Sequence, residues 1–166
     1  DGKVTVAESG AIIEYIVDRY GKGRMAPAPG TTERLRYTYW MHYAEGSLMN
    51  WLVMKLVFST IPTRPMPFFA KPIARGLCAK VQSTLIDPNL QNSLNFIEHH
   101  LAQNAWFAGS EISMADFQMS FAVEALLFGR SPVRAGQLTS FVQDGMAEPN
   151  PLWEAMRPGL RGVAQM

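Results

Sequence analysis

The sequence predicts a mainly α fold: a short strand and one helix, a Pro/Gly break, then a segment that is helical throughout. Three observations carry that prediction. Apolar residues recur at helical spacing in almost every segment after residue 31. One short run, residues 3–6, is β-prone, and no other convincing strand follows it. One stretch, residues 21–30, concentrates Gly and Pro.

The elements follow in order. Asp1-Gly2 reads as a hairpin turn, because Gly freely supplies positive φ. Residues 3–6 then put Val4 and Val6 on one face of a strand, whose partner is expected upstream of Asp1. Ser9 suits the N-cap of a helix over 9–20. Its stripe is Ile12, Ile13, Ile16, Val17 and Tyr20, and Gly21 falls where helix C-termini prefer Gly. Residues 22–30 read as a linker. Thr31 or Thr32 caps the next helix, with Glu33 near its positive end. Residues 40–58 are apolar nearly all round, so that helix needs cover on several sides. Pro62, Pro65 and Pro67 end it.

Ile73, Leu77, Val81 and Leu85 recur every four residues and predict a further helix. Asp87-Pro88 either kinks that helix or restarts it, and Leu90, Leu94, Ile97 and Leu101 continue the stripe. The sharpest local signal is residues 112–117. Ser113 fits an N-cap, Asp116 at N3 fits the return bond of a capping box, and Ile112 with Phe117 fits a hydrophobic staple. The helix opened there, through Phe121, Ala122, Ala125, Leu126 and Phe128, is apolar all round. Leu138, Phe141, Val142 and Met146 suggest one more helix; Trp153, Met156 and Leu160 suggest a last one.

Composition narrows the function classes. The 166 residues carry a net charge of +1, and the basic residues form no run with interleaved aromatics, so no nucleic-acid partner is expected. The single Cys78 allows no internal disulfide and no multi-cysteine zinc site, and sits in an apolar stripe as a core residue would. The most apolar stretch, 48–58, falls short of the ~20 residues a spanning helix needs, so no membrane partner and a cytoplasmic location are expected. His99 and His100 are adjacent and point about 100° apart on a helix, which does not make a metal pair, and no metal is expected.

The chain resembles the cytosolic glutathione transferases, especially bacterial members similar to the fungal type. Residues 1–16, with Glu8-Ser9-Gly10-Ala11-Ile12 and Tyr15-Ile16, look like the family's final strand and third helix. Trp106-Phe107-Ala108-Gly109 and Ser113-Met114-Ala115-Asp116 look like its helical-domain segment, and 39–58 resembles the bacterial members. The resemblance covers about residues 1–130, and the tail from about Pro132 departs from it. It implies an all-helical transferase C-terminal bundle preceded by the last strand and helix of a thioredoxin-like α/β domain. Residues 1–21 would be the remnant of that glutathione-binding domain, 22–30 the linker and 31–166 the all-α domain.

The resemblance also implies chemistry. Glutathione, a co-substrate, presents an α-amino and an α-carboxylate group at its glutamyl end. Ser9, at a helix N-terminus, would offer its amide and hydroxyl to the carboxylate, and Glu8 would pair with the ammonium. Read locally, the same residues are an N-cap and a solvated neighbour. Tyr39, Tyr43, Trp51 and Met54 either line an apolar electrophile pocket or belong to the core. His42 and Glu45, at i and i+3, share a helix face beside the family's active site. The activating Tyr, Ser or Cys and the family's cis-proline are expected upstream of Asp1. The implied function is conjugation of the glutathione thiolate to a small hydrophobic electrophile by a homodimer. The alternatives are a non-catalytic transferase-fold protein for ligand binding or dimerisation, and a truncated product with an intact helical domain.

Overall fold

The computed structural model describes residues 2–128. Helices predicted beyond residue 130 lie outside the described residues. Six α-helices account for most of the described residues: α1 (Ser9–Tyr20), α2 (Thr32–Tyr43), α3 (Met49–Thr60), α4 (Ala70–Val81), α5 (Asp87–Leu101) and α6 (Met114–Phe128). A π-helical turn, Ala44–Leu48, runs α2 into α3. A second, Gln82–Ile86, runs α4 into α5.

Residues 3–6 do not form the expected strand. A strand exists only by laddering with a neighbour, and the described residues contain no other. Helix α1 has the expected span, but its stripe splits. Ile13 and Val17 pack against the core, whereas Ile12, Ile16 and Tyr20 are exposed. Gly21 ends α1 for a different reason than left-handed backbone. Its φ is −66°, and a Cβ there would sit 2.4 Å from the Val17 carbonyl oxygen.

Thr31 caps α2: its hydroxyl accepts the Arg34 amide at 3.1 Å. The core forms where α2 and its π-turn cross α6 and α5. Trp40 is buried and meets Phe107 at 4.8 Å between ring centroids, with His100 at 4.7 Å and Phe96 at 5.3 Å. His100 is therefore half-buried rather than a surface residue. Its Nε2 lies 3.0 Å from the Phe107 carbonyl oxygen, which can only accept, so Nε2 carries the proton. Leu48, Ile86, Leu94, Ile97, Met119 and Leu126 fill the remaining centre.

Two expectations about helix faces are corrected. In α4 the repeating Ile73 and Leu77 face outward, and Cys78 turns to the core instead. Spacing of four names a face; it does not say which side the neighbours cover. Of the two alternatives at Asp87-Pro88 the restart holds: α5 begins at Asp87 with Pro88 in its first turn, although the Asp87 side chain makes no cap. Backbone dihedrals stay helical through Asp87, and the π-turn before it absorbs the register change. Asp87 instead pairs with Lys55 of α3 at 2.6 Å. Nor is α6 buried all round, since Phe121 remains 41% exposed.

Candidate functional site

The start of α6 is closed from within. Asp116 is 3% exposed and accepts hydrogen bonds from the Phe107 amide (2.8 Å), the Ser113 amide (2.8 Å) and the Ser113 hydroxyl (2.9 Å). The Ser113 hydroxyl thus donates to the carboxylate, instead of accepting an amide as in a standard capping box. The Asp116 amide reaches the Ser113 carbonyl at 3.1 Å. From the loop after α1, the Met25 carbonyl accepts the Met114 amide at 2.8 Å, with Met25 held at φ 67°. Burial pushes the Asp116 carboxyl above its ordinary value, and these hydrogen bonds pull it back only in part.

The start of α1 is arranged differently. Glu8 occupies the N-cap with φ 74° and ψ 126°, and its side chain makes no capping hydrogen bond. A positive φ on a residue with a Cβ is strained. Ser9 is the first helical residue, not the cap. The amides of Ser9, Gly10 and Ala11 precede the first intrahelical bond, from Ile12 to the Glu8 carbonyl at 2.9 Å. These groups are solvent-exposed or nearly so.

The Ser9 side chain is held by residues far away in sequence. Gln118 of α6 donates through Nε2 to the Ser9 hydroxyl at 2.9 Å and to Glu45 Oε1 at 3.2 Å. Ser9 in turn donates to Glu45 Oε1 at 3.2 Å. Gln118 is buried, which fixes the geometry, and Glu45 is exposed. Glu45 is the second residue of the π-turn Ala44–Leu48, and its side chain reaches Ser9 of α1 and Gln118 of α6. Glu8, as the cap residue, and Glu45, through Ser9, thus bring two carboxylates to a helix N-terminus that favours anions. An amino-acid zwitterion suits that donor set: amides for its carboxylate, carboxylates for its ammonium.

Gln118 is the residue that sequence reasoning missed, and Glu45, singled out with His42, was not linked to Ser9. Their links to Ser9 span 109 and 36 positions, which no local pattern reveals. The other predicted residues separate into groups. Tyr39 and Tyr43 stack at 5.7 Å, with Phe96 of α5 beside both. Trp51 and Met54 pack against the core. A cleft of about 590 Å³ lies between residues 23–27 and 108–113, and none of these four side chains lines it. Among the described residues no group of three or more His, Cys, Asp or Glu is gathered as a metal would need, and no helix is long and apolar enough to cross a membrane.

Comparison with known proteins bears on this arrangement. Residues 86–141 match the family described as glutathione S-transferase, C-terminal domain. The chain is 33% identical over 125 residues to glutathione S-transferase 3 of Schizosaccharomyces pombe, covering 75% of this chain and 51% of that protein. It is 25% identical over 123 residues to glutathione S-transferase 1 of Saccharomyces cerevisiae, covering 74% of this chain and 53% of that one. The chain thus spans about half the length of these curated relatives. In fold it is similar to a glutathione transferase of Phanerochaete chrysosporium solved with oxidized glutathione (TM-score 0.71, 14% identity, 99% of this chain and 70% of that one). It is similar as well to a glutathione S-transferase of Actinobacillus pleuropneumoniae (TM-score 0.64, 21% identity, 90% and 62%).

Proposed function

Because the chain belongs to the glutathione S-transferase family, we propose that the start of α1 holds the glutamyl end of glutathione in a protein that conjugates the thiolate to a hydrophobic electrophile. The observation that carries this is the Ser9–Gln118–Glu45 cluster. It anchors the first residue of α1 to the buried helix α6, so that the free amides keep a fixed direction. The Ser9 amide meets the glutamyl carboxylate, and the Ser9 hydroxyl turns its proton from Glu45 to it on binding; Glu8 and Glu45 meet the ammonium. These residues bind and orient, and the sulfur chemistry is assigned to none of them. Residues 1–21 then belong to the glutathione-binding unit, 22–30 to its linker and the rest to the helical domain.

Calorimetry with glutathione tests the assignment. Glu8→Ala with Ser9→Ala should weaken binding at least roughly tenfold, since each charge-assisted bond contributes about 1.5–3 kcal/mol. Unchanged affinity, with circular dichroism showing a folded chain, would remove the site from α1.

A further inference from the structure

We propose that the cleft between residues 23–27 and 108–113 is a second binding site, which takes a small organic cation with an apolar body. The cleft holds about 590 Å³, within the range of small-molecule sites. Met25, Pro27, Ala108 and Ile112 give it apolar walls. Its two sides are tied to each other, because the Met25 carbonyl accepts the Met114 amide at 2.8 Å. The cleft is separate from the start of α1. The loop that lines it follows Tyr20, at the far end of a 12-residue helix and about 18 Å from Ser9. A ligand there would bridge that loop and the segment that opens α6.

Charge decides the class of ligand. The charged residues that line the cleft are Arg24, Glu33 and Glu111. Arg24 is held back toward the end of α1, where its Nε donates to the Gly21 carbonyl at 3.4 Å. Glu33 leans over the opposite wall: a Cβ built at Gly109 would sit 3.3 Å from the Glu33 Cγ. Among the described residues neither Glu33 nor Glu111 has an ion-pair partner. The cleft therefore sets two carboxylates against one guanidinium, beside apolar walls. An ammonium group on an alkyl or aryl body meets both features. An anion would face the two carboxylates, and a neutral apolar molecule would use the walls alone. Exposed ion pairs contribute little by themselves, so the walls supply most of the affinity and the carboxylates supply the choice of charge.

Calorimetry on the 166-residue chain tests the proposal with probes of one shape: phenethylammonium, 2-phenylethanol and phenylacetate. The cation should bind with a Kd on the order of 1 mM, and the neutral and anionic probes about fivefold more weakly or worse. Glu33→Gln with Glu111→Gln should abolish that preference. Glu33 also suits the first turn of α2, so Glu111→Gln alone is the variant that leaves the helix untouched; it should weaken cation binding about twofold. Arg24→Gln should strengthen it by about the same factor. Glu14→Gln, an exposed carboxylate of α1 outside the cleft, should change nothing. Circular dichroism should report the same helix content throughout, since all four side chains are exposed. No binding of the cation, equal binding of all the probes, or an unchanged preference in the double variant would overturn the proposal. So would an equal loss in Glu14→Gln, or displacement of the cation by glutathione, which would put it at the start of α1.

Discussion

The helices α6 and α1 begin in opposite ways, and the difference separates structure from function. At α6, Asp116, Ser113 and the Met25 carbonyl satisfy donors from inside the protein, and burial is nearly complete. A start closed in this way has nothing left to offer a ligand. At α1, the cap residue Glu8 is strained, offers its helix no side-chain bond, and stands where the first amides meet solvent. That start is costly for stability and suited to binding. The polar cluster through Gln118 ties the two together, since one side chain of α6 sets the position of Ser9.

The largest expected effect lies at the closed start. Asp116→Ala strands two buried amides and a hydroxyl, at a cost of about 3 kcal/mol. The melting temperature should fall by roughly 6–12 °C for a chain of this size. A change under about 2 °C would show that α6 tolerates an open start and would erase the contrast.

The pH dependence comes next. The Asp116 carboxyl titrates above its ordinary value of about 3.8 in the folded protein, because burial outweighs its hydrogen bonds. The folded state therefore holds this proton when the unfolded state has released it. Stability contributed by Asp116 is greatest below about 3.8 and declines as pH rises through the folded value, then levels off. Urea melts across that window, compared with Asp116→Asn, isolate the slope. The difference between the two proteins should shrink as pH rises; a difference that grows would place the folded value below 3.8.

A smaller effect of opposite sign is expected at the open start. Glu8→Gly relieves a positive φ at the expense of chain entropy, for a net gain of about 1 kcal/mol, or a melting temperature higher by roughly 2–4 °C. The same substitution should weaken glutathione binding. Lost stability on this change would mean that Glu8 is not strained.

How much of this was legible in the sequence follows the range of the interactions. The spans of α1 and α6, the Thr31 cap and the return bond from Asp116 to the Ser113 amide all depend on residues within a few positions. Chain-local patterns report such contacts well. Asp116 also holds the Phe107 amide, nine positions away, and that bond left no local sign. The outward turn of Ile73 and Leu77 was invisible because periodicity fixes a face and not its neighbours. The π-turns, one of which carries Glu45 and the other α4 into α5, have no residue signature of their own. Half of the candidate site, Glu8 and Ser9, was therefore readable. Glu45 was singled out with His42 but not joined to Ser9, and Gln118 was not named at all, because both links depend on the packing of α1 against α6.

The most direct test of the open start compares glutathione with its N-acetyl derivative by calorimetry, on the unmodified chain and on Glu8→Gln with Glu45→Gln. Acetylation removes the ammonium charge and adds an acetyl group at the glutamyl end, so the charge is read from the difference between the two proteins. The unmodified chain should prefer free glutathione by about tenfold or more, and the double variant should lose that preference. Equal affinity of the unmodified chain for both ligands would contradict the account.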